Sequence, residues 1–169
     1  MRAEELSQQL RLGSGEFLGQ RRGIVGLALV AVGSMSLITL YQMGIIKHLP
    51  EPPLPMLDAD KVDASAEAYS RFETPDGILG IGNYAMTMGL AAMGGRDRAQ
   101  KQPWIPLLLA AKVAFDTSQA IRLFFDQKTK YHAFCSWCLL AAGTTIATIP
   151  LVIPEAYAAV RRLLGKTVS

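Results

Sequence analysis

The chain has 169 residues, half of them hydrophobic, and a net charge of +3 carried by short Lys/Arg clusters. That balance excludes a nucleic-acid footprint, which needs a dense basic face. A soluble domain of this size could be equally apolar, so the distribution decides the class: charges gather at 1–22, 47–76, 96–101, 126–130 and 161–166, with four nearly uncharged stretches between them.

A helix needs about 20 mostly apolar residues to cross a hydrocarbon core of roughly 30 Å, and all four stretches meet that length. The pattern predicts an all-α integral membrane protein, a four-helix bundle with a short outer-loop helix. Residues 1–22 read as a loosely held cytoplasmic tail, with a short surface helix broken by Gly13-Ser14-Gly15 as the alternative. Arg11, Arg21 and Arg22 resemble the n-region of a signal peptide, but the apolar run that follows is too long and lacks a small-x-small cleavage site. It is read as a retained first span.

The membrane domain is predicted over 23–164, with spans at about 23–46, 76–94, 103–125 and 132–153 and a short tail at 165–169. In span 1, Gly26, Gly33, Ser34 and Ser36 are small enough for close helix packing. The acidic segment 47–76 opens with an extended Pro50-Glu51-Pro52-Pro53-Leu54-Pro55 run. Asp58 then reads as the N-cap of a helix reaching about Phe72. Span 2 is rich in glycine, including Gly77, Gly80, Gly82 and Gly89, which again points to close packing. Span 4 is expected to kink or end at Pro150 and Pro154, with Glu155 as a boundary residue.

Four spans put both termini on one side. The positive-inside rule makes that side cytoplasmic, because Arg21, Arg22, Arg96, Arg98, Lys101, Arg161, Arg162 and Lys166 all fall there. Lys128 and Lys130 dissent. The expected location is the cell (inner) membrane.

This topology puts the chain's two cysteines, in Phe134-Cys135-Ser136-Trp137-Cys138, at the outer end of span 4. At that spacing both thiols share a helix face. Cys135 stands nearer the helix N-terminus, where the dipole favours a thiolate. The outer face is also where disulfide chemistry persists. A redox pair is the first reading. Inert packing is a second, and a metal site with His132, and His48 as a further ligand, is a third. A c-type haem is disfavoured because Leu139 follows Cys138. Two thiols placed there can meet a lipid-soluble quinone from the bilayer and a thiol protein from outside.

Asp60-Lys61-Val62-Asp63-Ala64-Ser65 with Tyr69, then Pro75-Asp76-Gly77-Ile78-Leu79-Gly80 and Tyr84, resembles the loop helix and second span of vitamin K epoxide reductase and its bacterial homologues. The CxxC opening the last span matches too, and the resemblance covers about residues 20–160. It implies that Cys135 and Cys138 are the active-site pair, with Cys138 beside the quinone. It implies further that Ser65 shapes the quinone pocket and that Asp76 stands where some members place a hydrogen-bond donor to the quinone. Ala142 falls where some members have a tyrosine. The chain departs from the family in lacking two outer-loop shuttle cysteines: Asp58 to Lys61 stand where one is expected.

The resemblance implies a quinone-dependent thiol–disulfide oxidoreductase. Ubiquinone or menaquinone would be the acceptor and an external thioredoxin-like protein the donor. The alternative is a non-catalytic membrane protein on the same scaffold, binding quinone or lipid or acting as a subunit. In span 3, Lys112 and Asp116 read as a neutralised pair that fixes packing, ahead of a proton path to the quinone. Trp137 reads as an interfacial anchor, ahead of a shield over the disulfide or a stacking partner for the quinone ring.

Overall fold

The structure is a computed structural model that describes residues 3–165. Lys166 and nearly all of the predicted 165–169 tail lie outside the described residues. Among the described residues the fold is helical throughout, with no strand. The helices are α1 (Ala3–Leu12), α2 (Leu18–Gln42), α3 (Ala59–Asp63), α4 (Asp76–Ala92), α5 (Arg98–Lys101), α6 (Trp104–Asp126) and α7 (Ser136–Leu163). A 3₁₀ turn at Ala66–Tyr69 follows α3, and a π-turn at Gln127–Tyr131 follows α6.

The N-terminal segment is better ordered than a loose tail. Glu4 and Glu5 in the first turn of α1 and Arg11 in the last complement the helix dipole. The helix stops at the glycine-serine break, and Arg22 donates to the carbonyls of Leu10 and Gly13 at 2.8 and 3.0 Å, tying that end to α2. α2 starts at Leu18 rather than Gly23 and so includes both arginines.

The outer-loop helix is shorter than expected. The Asp58 side chain accepts from the Lys61 N–H at 2.9 Å, so the predicted cap is present. α3 ends at Asp63, however, and Phe72 and Glu73 adopt left-handed conformations (φ 55° and 52°) that no continuing helix allows. α7, by contrast, is a single helix from Ser136 to Leu163, with Pro150 and Pro154, the expected site of a kink or an end, inside it.

The four long helices pack as a bundle, α2 chiefly on α4 and α7, and α6 on α7. Ile24, Leu90, Leu109, Val113 and Val152, drawn from all four, fill one half of the core. Ile38, Leu49, Val62, Ala133 and Cys135 fill the other. Close approach happens at Gly77 and Gly80: a methyl group there would meet Thr39 Oγ1 and Met35 Sδ at 2.6 Å. Gly26, Gly33, Gly82 and Gly89 face open space, so close packing is not what those glycines serve.

Buried charge gathers at the end of the bundle where α4 terminates. Arg21 donates to the carbonyls of Ala91, Ala92, Met93, Gly94 and Gly95 at 2.8–3.1 Å. Arg98 donates to Leu90, Ala91 and Met93 and pairs bidentately with Glu155 at 2.6 and 2.7 Å. These arginines cap the orphan carbonyls of α4. Glu155 is thus a buried counter-ion, not a boundary residue.

Leu29, Ile78, Phe115, Leu123, Ile146 and Ile153 project outward from the four long helices. α2 and α7 are long and apolar enough to cross a bilayer. α4 has 17 residues, and α6 carries Lys112, Asp116 and Arg122.

Candidate redox site

The opposite end of the bundle holds the cysteines. His132 takes a left-handed conformation (φ 50°), which ends the π-turn and reverses the chain into α7. Cys135 is the N-cap of α7: its Sγ accepts from the Cys138 N–H at 3.2 Å, the place usually taken by Ser, Thr, Asp or Asn. That bond brings Cys138 round onto the Cys135 side of the first turn, as the spacing predicted. Both thiols are free.

A strap formed by residues 50–59 runs over the head of α7 and covers Cys135. Phe134 N–H donates to the Met56 carbonyl at 2.9 Å, and Asp58 N–H to the Phe134 carbonyl at 3.0 Å. Glu51 is the latch. Its Oε1 accepts from the Ala59 N–H at 2.7 Å, at the start of α3. Its Oε2 accepts from the Ser136 hydroxyl at 3.0 Å and the Ser136 N–H at 3.4 Å, at the start of α7. One carboxylate thus serves two positive helix termini. Trp137 Nε1 donates to the Pro50 carbonyl at 2.8 Å, fastening the strap. The consequence is that Cys135 is 0 % exposed, while Cys138 is partly exposed.

The residue that sequence reasoning passed over is Asp63. It sits on the last position of α3, 2 % exposed. The Cys138 thiol donates to its Oδ1 at 3.6 Å, and its Oδ2 is buried without a partner. One carboxylate oxygen of Asp63 and both sulfurs lie within 4.8 Å of one another. Burial pushes the Asp63 carboxyl up to about 7, reinforced by the charges of Asp76 and Glu51 and opposed by hydrogen bonds from the two thiols. In the sequence it is one acid among several in an acidic loop, and only the folding of α3 onto the head of α7 distinguishes it.

The other candidates are divided. Gln42, at the end of α2, donates from Nε2 to Asp76 Oδ1 at 2.7 Å and to the Asp63 carbonyl at 3.2 Å. It thereby brings Asp76 to the same end of the bundle as the thiols. Ser65 opens the 3₁₀ turn, and the Tyr131 hydroxyl donates to Glu67 within that turn at 2.8 Å. His48 pairs with Asp60 at 2.7 Å, and neither His48 nor His132 joins the thiol cluster. Among the described residues the cluster is Asp63, Cys135 and Cys138, so the histidines expected beside the thiols are not brought to them.

Deeper in the bundle, Lys112 bridges Asp116 and the Thr87 hydroxyl, tying α6 to α4. Asp116, Thr87, Tyr84 and Thr145 line a cavity of about 10 Å³ there. Tyr84 donates to the Ala141 carbonyl at 3.2 Å and shares a 3.0 Å hydrogen bond with Thr145 Oγ1, joining α4 to α7.

A helical bundle with a paired CxxC at a helix head is a helical thiol protein, and two of its helices are long and apolar enough to fit a membrane. Residues 23–153 match the model of the Vitamin K epoxide reductase family, and the chain belongs to that family. Its members are membrane-embedded and, in general, quinone-linked thiol oxidoreductases. Searches of curated proteins and of solved structures return no match.

Proposed function

We propose that this protein is a membrane thiol–disulfide oxidoreductase passing electrons from an external thiol protein to a quinone through Cys135 and Cys138. The observation that carries the reading is the pair itself: two free thiols folded together at the head of α7 by the Cys138 N–H to Cys135 Sγ bond. The outward apolar residues on all four long helices support four spans, and the Lys/Arg distribution favours cytoplasmic termini with the pair at the outer face of the cell membrane. The partners are membrane lipid, the quinone (ubiquinone or menaquinone) and a thioredoxin-like donor.

The residues suit a quinone. Its oxygens need polar groups within an otherwise apolar site, and beside Cys138 lies the unpartnered Oδ2 of Asp63. Ser65, Asp76 and Trp137 are the remaining residues proposed to border it. When bound, a quinone accepts two electrons and two protons. Cys138, partly exposed, is the sulfur that faces it. Cys135 exchanges disulfides with the donor, and because Cys135 is sealed, the 50–59 strap lifts for that exchange. Without shuttle cysteines in the loop, the donor reaches Cys135 directly.

Thiol-dependent quinone reduction by protein reconstituted in vesicles tests this. Cys138→Ala is expected to abolish it, and a variant with full activity would overturn the reading. The sealing of Cys135 favours one competitor, a non-catalytic quinone- or lipid-binding protein. That competitor gains if no redox-active disulfide titrates between roughly −350 and −100 mV, the range of thiol redox proteins.

A further inference from the structure

Within that redox reading, on which this inference rests, we propose that Asp63 is the proton acceptor of the Cys135–Cys138 dithiol. Three observations place it there. Its Oδ1 already receives the Cys138 S–H, and the other sulfur lies within the same 4.8 Å cluster. Its Oδ2 is buried and unpartnered, which leaves one face of the carboxyl open for a further hydrogen bond. No cation pairs with it among the described residues, so nothing in this structure satisfies the buried carboxylate as Arg98 satisfies Glu155. A buried acid in that condition is unfavourable for folding and is maintained where its proton affinity has a use.

The groups facing Asp63 set that affinity. Asp76 at the head of α4, Glu51 on the strap, Cys135 and Cys138 on α7 and Tyr41 on α2 are all acids when they titrate. No base stands among them to hold Asp63 ionised. A carboxyl raised to about 7 by burial exchanges its proton at neutral pH, as a proton acceptor must.

The step balances without any further reactant. The Cys138 thiol proton passes to Asp63 Oδ1 as the sulfur gives up electron density to the quinone. Asp63 hands that proton on to a quinone oxygen and is ionised again. Cys135 loses its proton by the same route as the Cys135 Sγ–Cys138 Sγ bond forms. Two electrons and both thiol protons end on the quinone, giving the quinol and the disulfide.

The test needs no quinone. Reduced full-length protein in vesicles is alkylated with iodoacetamide across pH 5.5 to 9, alongside Asp63→Asn. Because a thiol coupled to a carboxyl titrates as a pair, the wild-type rate should rise in two limbs, the lower near pH 7. The lower limb should vanish in Asp63→Asn and persist in Asp63→Glu. Superimposable profiles for wild type and Asp63→Asn would overturn the proposal, since a merely structural role would not move them. If Asp63→Asn fails to fold, infrared spectra of the wild type decide. A protonated-carboxyl band should appear on lowering the pH through about 7 and shift on oxidising the thiols; a band blind to the thiol redox state sinks the idea. In the complete assay, Asp63→Asn should reduce quinone about a hundredfold more slowly at pH 7, the usual scale for losing a positioned base. If Cys138→Ala is inactive but the alkylation profiles superimpose, only the role of Asp63 falls; if Cys138→Ala is active, the redox reading itself falls.

Discussion

Where α4 ends, two arginines and a glutamate are buried together, and each of their polar groups finds a partner: Arg21 spans the carbonyls of Ala91–Gly95, and Arg98 joins Glu155 to three more. Where α4 begins, Asp63 is buried nearly as deeply beside two thiols, and one of its oxygens has no partner. The same chain thus buries charge at both ends of one bundle with opposite results. A buried ion pair that also satisfies orphan carbonyls is structural, because its desolvation is offset in place. A buried carboxyl left half-satisfied makes no such contribution, which is why the proposed chemistry is assigned to the cysteine end.

The comparison can be broken most sharply at the paired end. Arg98→Ala leaves Glu155 buried and uncompensated. It should lower stability by about 3–5 kcal/mol in detergent unfolding, whereas replacing Arg98 and Glu155 together with apolar residues should recover most of the loss. If the single and double variants are equally unstable, the pair is not the reason for the burial.

At the unpaired end the effect appears as a pH dependence. The Asp63 carboxyl is raised from 3.8 to about 7, so between those values the folded protein holds a proton that the unfolded chain has released. Stability should therefore fall as pH rises from about 4 to about 7 and level off above, by about 4 kcal/mol. Asp63→Asn should remove that slope. An unchanged slope in unfolding curves would assign it to other groups.

The smallest effect is local to the strap. Glu51→Ala frees two helix N-termini, at a cost of about 1–2 kcal/mol. It should expose Cys135, so that alkylation of Cys135, followed by mass spectrometry, accelerates while that of Cys138 changes little. Equal protection of Cys135 in both proteins would show that Glu51 is not the latch.

Much of this arrangement was legible in the residues. The charge-free stretches correspond to the four long helices, although α2 starts ahead of Gly23 and α7 runs on to Leu163. The Asp58 cap and the CxxC at a helix head follow from local chemistry as well. The differences share one cause: flanking position and residue size, all that the sequence offers at Arg21, Arg98, Glu155, Gly26 and Gly33, do not report which groups are buried or paired. Pro150 and Pro154 suggest a kink or an end to span 4, yet α7 continues as one helix past both.

By itself, then, the sequence determined the helical class, the family and the position of the two thiols, because each depends on local periodicity or on spacing along the chain. Only the tertiary structure decided which charges are paired, that the 50–59 strap covers Cys135, and that Asp63 rather than any neighbouring acid meets the sulfurs. Burial and pairing are properties of how α2, α3, α4 and α7 converge, and no stretch of chain carries that information alone.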